Sequence, residues 1–132
     1  MFARWGLYRS DIGDYMHRWI LRTPWFTLRL HHILRSDAGR DFHDHPFSFV
    51  SLILWGGYIE HRPPCLCGTG APDTLCRRFG PGSIVRRRAA DLHRLELAAP
   101  AWTFVIATPY FRKWGFQTKA GWVPFDEYQG EA

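Results

Sequence analysis

The sequence predicts an all-β protein, an antiparallel β-sandwich or barrel, and three observations lead to this class. Short segments rich in β-branched and aromatic residues recur along the chain, glycine and proline separate them at close intervals, and helical patterning is scarce. With 132 residues, of which 46% are hydrophobic, the chain is long enough to bury one core. We therefore expect a single domain over residues 1–132, with an N-terminal extension at 1–24 and the barrel at about 25–128.

The N-terminal extension contains the segment predicted to be a short helix, "RSDIGDYMHRWI" (residues 9–20), with Ser10 or Asp11 as its N-cap. The first predicted strand is "WFTLRLHHIL" (residues 25–34), in which alternate side chains fall on two faces. One face is apolar apart from a histidine and consists of Phe26, Leu28, Leu30, His32 and Leu34. The other face is largely polar and consists of Thr27, Arg29 and His31.

The remaining strands are separated by turn signals. "PFSFVSLILW" ends at Gly56-Gly57, and we expect "YIEHR" to run back from that turn. Residues 62–76 are dense in proline and glycine and predict a loop. Further strands are predicted in "FGPGSIVRRR", "LHRLEL" and "AWTFVIATP", and a closing hairpin in "RKWGFQT" and "GWVPFDEY".

Composition narrows the range of partners and compartments. The N-terminus has no apolar stretch of the kind found in secretion signals, and the longest apolar run is interrupted and too short to span a bilayer. Three cysteines without a signal peptide predict reduced thiols in the cytoplasm. The net charge of +5 is spread along the chain, and the basic residues form no nucleic-acid recognition motif. We therefore expect neither a membrane nor a nucleic acid as partner.

The segment "DFHDHPFSF" predicts a metal site. In a strand, His43 and His45 lie on the same face, and His93, from a later predicted strand, could complete a set of three imidazoles. Three protein ligands leave coordination positions open for water, substrate or O₂, as catalytic metals require. The alternative is that the two histidines of the pair are polar residues at a strand entrance. The ligand set suits Fe, Zn, Ni, Mn or Cu, so the ion is left open.

These residues resemble the two motifs of the cupin superfamily of small β-barrels. His43-x-His45 followed by Gly56 is similar to the first motif, and Gly82 followed by His93 keeps the spacing of the second. The usual proline, glycine and asparagine of the second motif are replaced by Arg88, Ala90 and Leu97, and the carboxylate ligand of the first motif falls at Phe49 or Val50. The resemblance covers roughly residues 25–116 and implies a three-histidine site like that of the thiol dioxygenases.

A fourth ligand could come from His32 or Glu60, and we favour His32 because it lies on the apolar face of its strand. The resemblance also implies a jelly-roll barrel, a small-molecule ligand and a homodimer formed through edge strands. The leading function is a metal-dependent enzyme, with dioxygenase chemistry favoured. The alternative is a non-catalytic or metal-free cupin, either a binding module or a sugar epimerase-like isomerase in which a histidine acts as base with Asp44 or Asp91 as the nearest acids.

Two further sets of residues are candidates for binding. Arginines near a barrel mouth could hold an anionic substrate against aromatic side chains. The candidate substrate-binding residues are Arg86, Arg88, Tyr58 and Trp102. The loop region supplies one histidine and three cysteines, a combination that binds structural zinc in other proteins. This second set comprises His61, Cys65, Cys67 and Cys76.

Overall fold

The computed structural model of the protein describes residues 5–36, 41–63 and 75–128, and within these ranges the regular elements are all β-strands. The strands are β1 (Gly6–Ile12), β2 (Met16–Arg22), β3 (Thr27–Ile33), β4 (Phe42–His43), β5 (Phe49–Trp55), β6 (Tyr58–Arg62), β7 (Leu75–Phe79), β8 (Ile84–Arg87), β9 (Arg94–Glu96), β10 (Ala101–Ala107), β11 (Gly115–Thr118) and β12 (Gly121–Pro124). The predicted all-β class is therefore confirmed.

The strands form two layers. One layer is a six-stranded antiparallel sheet in the order β1-β2-β3-β10-β5-β8. The other consists of two three-stranded sheets, β12-β11-β4 and β7-β6-β9. An antiparallel bridge between His43 and His93 joins these two small sheets, so two of the candidate ligands lie at the junction.

The core lies between the layers. One apolar cluster contains side chains from both layers. The large sheet contributes Ile33, Ile53 and Val85, and the small sheet β7-β6-β9 contributes Tyr58, Phe79 and Leu95. A second, smaller cluster contains Phe47 and Val105. Burial of these apolar side chains from both layers is the main term that stabilises a two-layer β protein.

The inward face of β3 is the polar one, contrary to what its apolar pattern implies. Thr27, Arg29 and Ile33 are buried between the layers, whereas Leu28 and His32 point to the outer side and are partly buried. The predicted alternation of the two faces is present, but the face predicted to be buried is the outer one. The reason is that the outer face is covered by aromatic side chains of neighbouring strands, so it can be apolar without being the core.

The predicted N-terminal helix is wrong. Residues 6–12 and 16–22 form β1 and β2, a hairpin whose register places Ile12 opposite Met16. The turn uses Gly13 in the left-handed region at a φ of 49°. Strand β2 is paired with β3 along its whole length, and this backbone pairing outweighs a weak local preference for helix.

The Gly56-Gly57 turn is present, but β5 and β6 do not form the expected hairpin. Strand β5 pairs with β10 and β8, and β6 pairs with β7 and β9, so the turn carries the chain from one layer to the other. A Cβ atom at Gly56 would lie 2.7 Å from the carbonyl oxygen of Pro100, and one at Gly57 would lie 2.5 Å from that of Phe79. Glycine is required here because the backbone crosses so close to other segments.

The other strand predictions agree with the structure. Strands β8, β9 and β10 lie within the predicted segments, and β11 pairs with β12 as the closing hairpin. Most of the predicted loop at residues 62–76 lies outside the described residues, but Leu75–Phe79 forms β7. In the ranges that the structure describes, we find no helix with the length and apolar character needed to cross a bilayer.

Candidate metal centre

Three histidines from two separate segments meet between the layers. His43 ends β4, His45 follows it, and His93 directly precedes β9. The backbones of His43 and His93 exchange two hydrogen bonds of 2.9 and 3.0 Å, and the amide of His45 donates to the carbonyl of Ala89 at 2.9 Å. These backbone bonds fix the positions of the side chains, and one nitrogen atom from each imidazole lies within 4.8 Å of the other two.

The nitrogen atoms are arranged as metal ligands would be. The Nε2 atoms of His45 and His93 are 3.0 Å apart. Two imidazole lone pairs at this distance repel each other unless a proton or a cation lies between them. His93 is buried, with 6% of its surface exposed. A set of three imidazoles is one that divalent transition metals bind well.

Glu60 holds His93 in the tautomer that a metal ligand needs. Its Oε2 atom lies 2.6 Å from the Nδ1 atom of His93, so Nδ1 donates its proton to the carboxylate and the Nε2 lone pair faces the cluster. Glu60 is 2% exposed and comes from β6. The same carboxylate accepts a hydrogen bond of 3.1 Å from the Nε atom of Arg87 and forms an ion pair with its Nη2 atom.

The pKa values agree with this assignment of protons. Burial by itself raises the pKa of Glu60, but the hydrogen bonds from His93 and Arg87 outweigh it and lower the pKa to about 2. The pKa of His45 lies well below its usual value, first because of burial and then because of the neighbouring His93 and His43. At neutral pH the centre therefore contains a carboxylate and a neutral His45.

Aromatic side chains surround the centre. Phe49 lies with its ring 4.9 Å from that of His45, and Trp114 and Phe116 lie 5.9 Å from that of His43. Phe49 is also one of the two positions at which the cupin motif has its carboxylate ligand; the other, Val50, is partly exposed on the outer face. The missing carboxylate is thus replaced by an apolar wall, and the acidic residue of the centre is Glu60.

The two candidates for a fourth ligand are placed differently. His32 is on the outer face of the large sheet, where its ring stacks on that of Trp102 at 4.0 Å and is not part of the three-histidine group. Glu60 is at the centre, but it contacts the far nitrogen of His93. The preference for His32 is therefore wrong, because the apolar face of β3 is the outer one. Glu60 orients His93 and is not itself a member of the three-histidine group.

The residues proposed to bind substrate do not meet in one place. Arg86 and Arg88 are exposed on the outer side and line a surface groove of about 360 Å³ that also includes Trp25. Trp102 belongs to the outer stack with His32. Tyr58 is buried in the core, 8% exposed, and its pKa is raised, mainly by burial and then by the nearby Glu60. The arginine of this strand that points inward is Arg87, as alternation requires.

The carboxylates considered as partners of the histidines serve other contacts. Asp44 is buried and accepts hydrogen bonds from the amide of Gly115 at 2.7 Å and from the indole of Trp122 at 2.9 Å. Asp91 accepts a hydrogen bond from the amide of Arg88 at 2.7 Å. Both anchor loops, so neither is placed to act as an acid beside the histidine cluster. Glu60 is the partner that sequence reasoning considered only as a ligand.

The predicted zinc set is described only in part. His61 and Cys76 face each other across β6 and β7, and the Nδ1 atom of His61 lies 3.2 Å from the sulfur of Cys76. The other ring nitrogen of His61 lies 2.9 Å from a carboxylate oxygen of Glu96. Cys65 and Cys67 lie outside the described residues. A zinc site at these four residues stays a prediction.

Comparisons with known proteins support the fold. No protein-family model matches the chain, and no curated protein sequence matches it. Among solved structures, a RmlC-like cupin from Shewanella frigidimarina is similar with a TM-score of 0.58, 15% identity, and coverage of 78% of this chain and 84% of that one. An uncharacterized conserved protein with a double-stranded β-helix domain from Klebsiella pneumoniae has a TM-score of 0.58, 16% identity, and coverage of 85% and 92%.

A third similar structure is hydroxypropylphosphonic acid epoxidase from S. wedmorenis, with a TM-score of 0.60 and 11% identity. The match covers 80% of this chain and 55% of the epoxidase chain, and an iron(II) form of that enzyme, HppE, is also similar. At these identities the likeness concerns the fold. The protein therefore has the cupin, or double-stranded β-helix, fold, and the expected resemblance to cupins is confirmed.

Proposed function

We propose that the protein is a metal-dependent cupin enzyme that acts on a small anionic molecule, with His43, His45 and His93 as the metal ligands. The observation that carries this proposal is the convergence of three imidazoles, with Nε2 atoms of His45 and His93 at 3.0 Å. The hydrogen bond from His93 to the buried Glu60 adds support, because ligand histidines usually donate their other N–H to a carboxylate or carbonyl.

A bound divalent metal would supply Lewis-acid or oxygen chemistry. The chain itself would provide the neutral ligand nitrogens, an apolar wall of Phe49, Trp114 and Phe116 that limits access of water, and a fixed charge in the Glu60–Arg87 pair. Three protein ligands leave room for substrate, which favours a dioxygenase among the metal-dependent reactions. The iron(II) form of HppE among the similar structures is consistent with iron as the metal.

One observation favours a second function, a metal-free isomerase. His93 with Glu60 on its Nδ1 atom at 2.6 Å is also the arrangement of a general base oriented by a carboxylate. In that case His93 would remove a proton from substrate and Glu60 would stabilise the resulting imidazolium. The acid would have to be a residue other than Asp44 or Asp91, because those two carboxylates are engaged in loop contacts.

The test is the metal content of the protein, purified without chelator or immobilised nickel. We expect about one equivalent of Fe, Mn, Ni, Cu or Zn in the wild type and its loss in a His43→Ala/His45→Ala double variant. The matched control is His32→Ala, which removes an imidazole from the outer stack and should retain the metal. A wild-type protein that binds no metal even after reconstitution would contradict the proposal and favour the isomerase. The cytoplasmic location and the homodimer stay predictions.

A further inference from the structure

A second group of basic side chains lies between the layers, on the inner face of β2 and β3. Arg18 is paired with His31 in the register of these strands, and Ile20 is paired with Arg29. Paired residues of an antiparallel ladder point to the same side, and Arg29 on this side is fully buried, with 0% of its surface exposed. Arg18, Arg29 and His31 are called the inner basic cluster below.

Arg29 is held firmly but is not fully bonded. Its Nε atom donates to the hydroxyl of Thr27 at 3.0 Å, and its Nη2 atom donates to the hydroxyl of Tyr110 at 3.1 Å. The guanidinium also lies over the ring of Phe47 at 4.5 Å. Its Nη1 atom is buried and has no hydrogen-bond partner among the described residues. One strong donor is thus fixed in place and unused.

The other two members of the cluster do not neutralise Arg29. The Nε2 atom of His31 is also buried without a partner in the described part of the chain. Burial, followed by the charges of Arg29 and Arg18, lowers the pKa of His31 to about 3, so it is neutral at physiological pH. Arg18 donates from Nη2 to the hydroxyl of Ser10 at 2.9 Å.

No carboxylate of the described residues forms an ion pair with any member of the inner basic cluster. Burying a guanidinium without a counter-ion is unfavourable, and the hydroxyl bonds and ring contacts offset this only in part. Buried charges in proteins are normally paired. An anionic ligand would supply the counter-ion for Arg29 and accept hydrogen bonds from Arg29 Nη1 and His31 Nε2.

We propose that the inner basic cluster binds the carboxylate of the substrate, with Arg29 Nη1 and the Nε2–H tautomer of His31 as the donors and Arg18 as a nearby positive charge. The inference rests on the proposed function, because it places this carboxylate in the same interior as the histidine centre. Phe47 connects the two sites: it lies under Arg29 and its ring is 6.3 Å from that of His45. Two single donors fit the two oxygens of a carboxylate better than the larger, more highly charged phosphate.

The experiment measures the melting temperature of the metal-free, chelator-treated protein with propionate, with inorganic phosphate or with sodium chloride at equal ionic strength. At a propionate concentration about 100-fold above Kd, we expect the melting temperature to rise by about 10 °C. Arg29→Met should abolish this rise, and without ligand it should melt at or above the wild-type temperature, because it removes an unpaired buried charge. Arg78→Met, which removes an exposed arginine on β7, is the matched control and should respond as the wild type does.

The result that overturns the proposal is a wild-type melting temperature that propionate does not change, or that phosphate raises more than propionate does. Retention of the propionate response by Arg29→Met would also overturn it. If Arg29→Met does not fold, the side-chain N–H signals of the wild type, followed by NMR during a propionate titration, take its place: they shift if Arg29 binds the carboxylate and stay fixed if it does not.

The metal and the carboxylate are tested separately. Since the titration is done without metal, a protein that contains metal but ignores propionate contradicts the carboxylate site alone. A protein that binds propionate through Arg29 but never binds metal contradicts the metal centre alone and retains the carboxylate site.

Discussion

Arg87 and Arg29 both point into the interior of this protein, and their surroundings differ in one respect. Arg87 on β8 meets the carboxylate of Glu60, which in turn holds His93. Among the residues that the structure describes, Arg29 on β3 meets the hydroxyl groups of Thr27 and Tyr110 and aromatic rings, and no carboxylate. The first is part of a charge-compensated unit that is complete within the chain. The second is the more deeply buried of the two and lacks a counter-ion among the described residues, which is why we assign it to a ligand.

The two arginines differ as a structural charge differs from a charge that binds a ligand. A buried ion pair whose members also hold a third residue in place contributes positioning, and breaking it leaves an uncompensated charge. A buried cation without an anion destabilises the folded protein, so its presence indicates a role in binding rather than in stability. Loss of the Glu60 charge should therefore lower the stability of the protein, whereas loss of the Arg29 charge should leave it unchanged or raise it.

The largest effect is expected from Glu60→Gln. This change leaves Arg87 without its counter-ion and His93 without a charged acceptor, and removal of one member of a buried pair costs about 3–5 kcal/mol. We expect the free energy of unfolding, measured by urea denaturation, to fall by about that amount. Metal affinity should fall by roughly 10–100-fold, as for other partners of ligand histidines.

The control for Glu60→Gln is the double variant Glu60→Gln/Arg87→Met. It removes both charges, so it should recover part of the stability lost in the single variant, and the recovery measures the coupling between the two residues. If the losses of stability from the two single changes simply add in the double variant, Glu60 and Arg87 do not form one compensated unit.

An intermediate effect is expected from pH at His31. Its pKa is lowered from the usual 6.5 to about 3 in the folded protein, so the unfolded chain takes up a proton that the folded chain refuses. The stability associated with neutral His31 is present above pH 6.5 and is lost as pH falls toward 3, by about 2 kcal/mol between pH 6.5 and 5. Urea denaturation at several pH values would measure this slope.

His31→Asn is the matched variant for the pH series. It keeps a polar side chain but does not titrate in this range, so the difference from wild type should grow steadily in favour of the variant as pH falls from 6.5 to 4. Parallel pH profiles for the two proteins would show that His31 is not held neutral by its burial and by the charges of Arg29 and Arg18.

The smallest effect is expected from Arg86→Met. Arg86 adjoins Arg87 in sequence but is exposed on the outer face, where a single charge contributes little. We expect the free energy of unfolding to change by less than about 0.5 kcal/mol and propionate binding to be unchanged. A loss of propionate binding in this variant would return the substrate site to the position first predicted from sequence.

Much of the fold could be predicted from the sequence, because it depends on local patterns. Alternation and turn residues located β8 to β12, and the two-residue period of a strand separated Arg87 from Arg86 and Arg88. The helix predicted at residues 9–20 was wrong because the signal was weak and pairing with β3 outweighed it. Local pattern also could not show that the Gly56-Gly57 turn crosses between layers, since a hairpin and a crossing use the same residues.

The proximity of His43 and His45 follows from the sequence, because residues two apart on an extended chain share a face. The spacing from Gly82 to His93 pointed to the third histidine. Three features depend on the packing of the strands: Glu60 holds His93, His32 faces outward, and Arg29 and His31 face inward. The physical reason is that periodicity separates the two faces of a strand but does not say which face is buried. That choice depends on the strands and side chains that cover each face, and these come from distant parts of the chain.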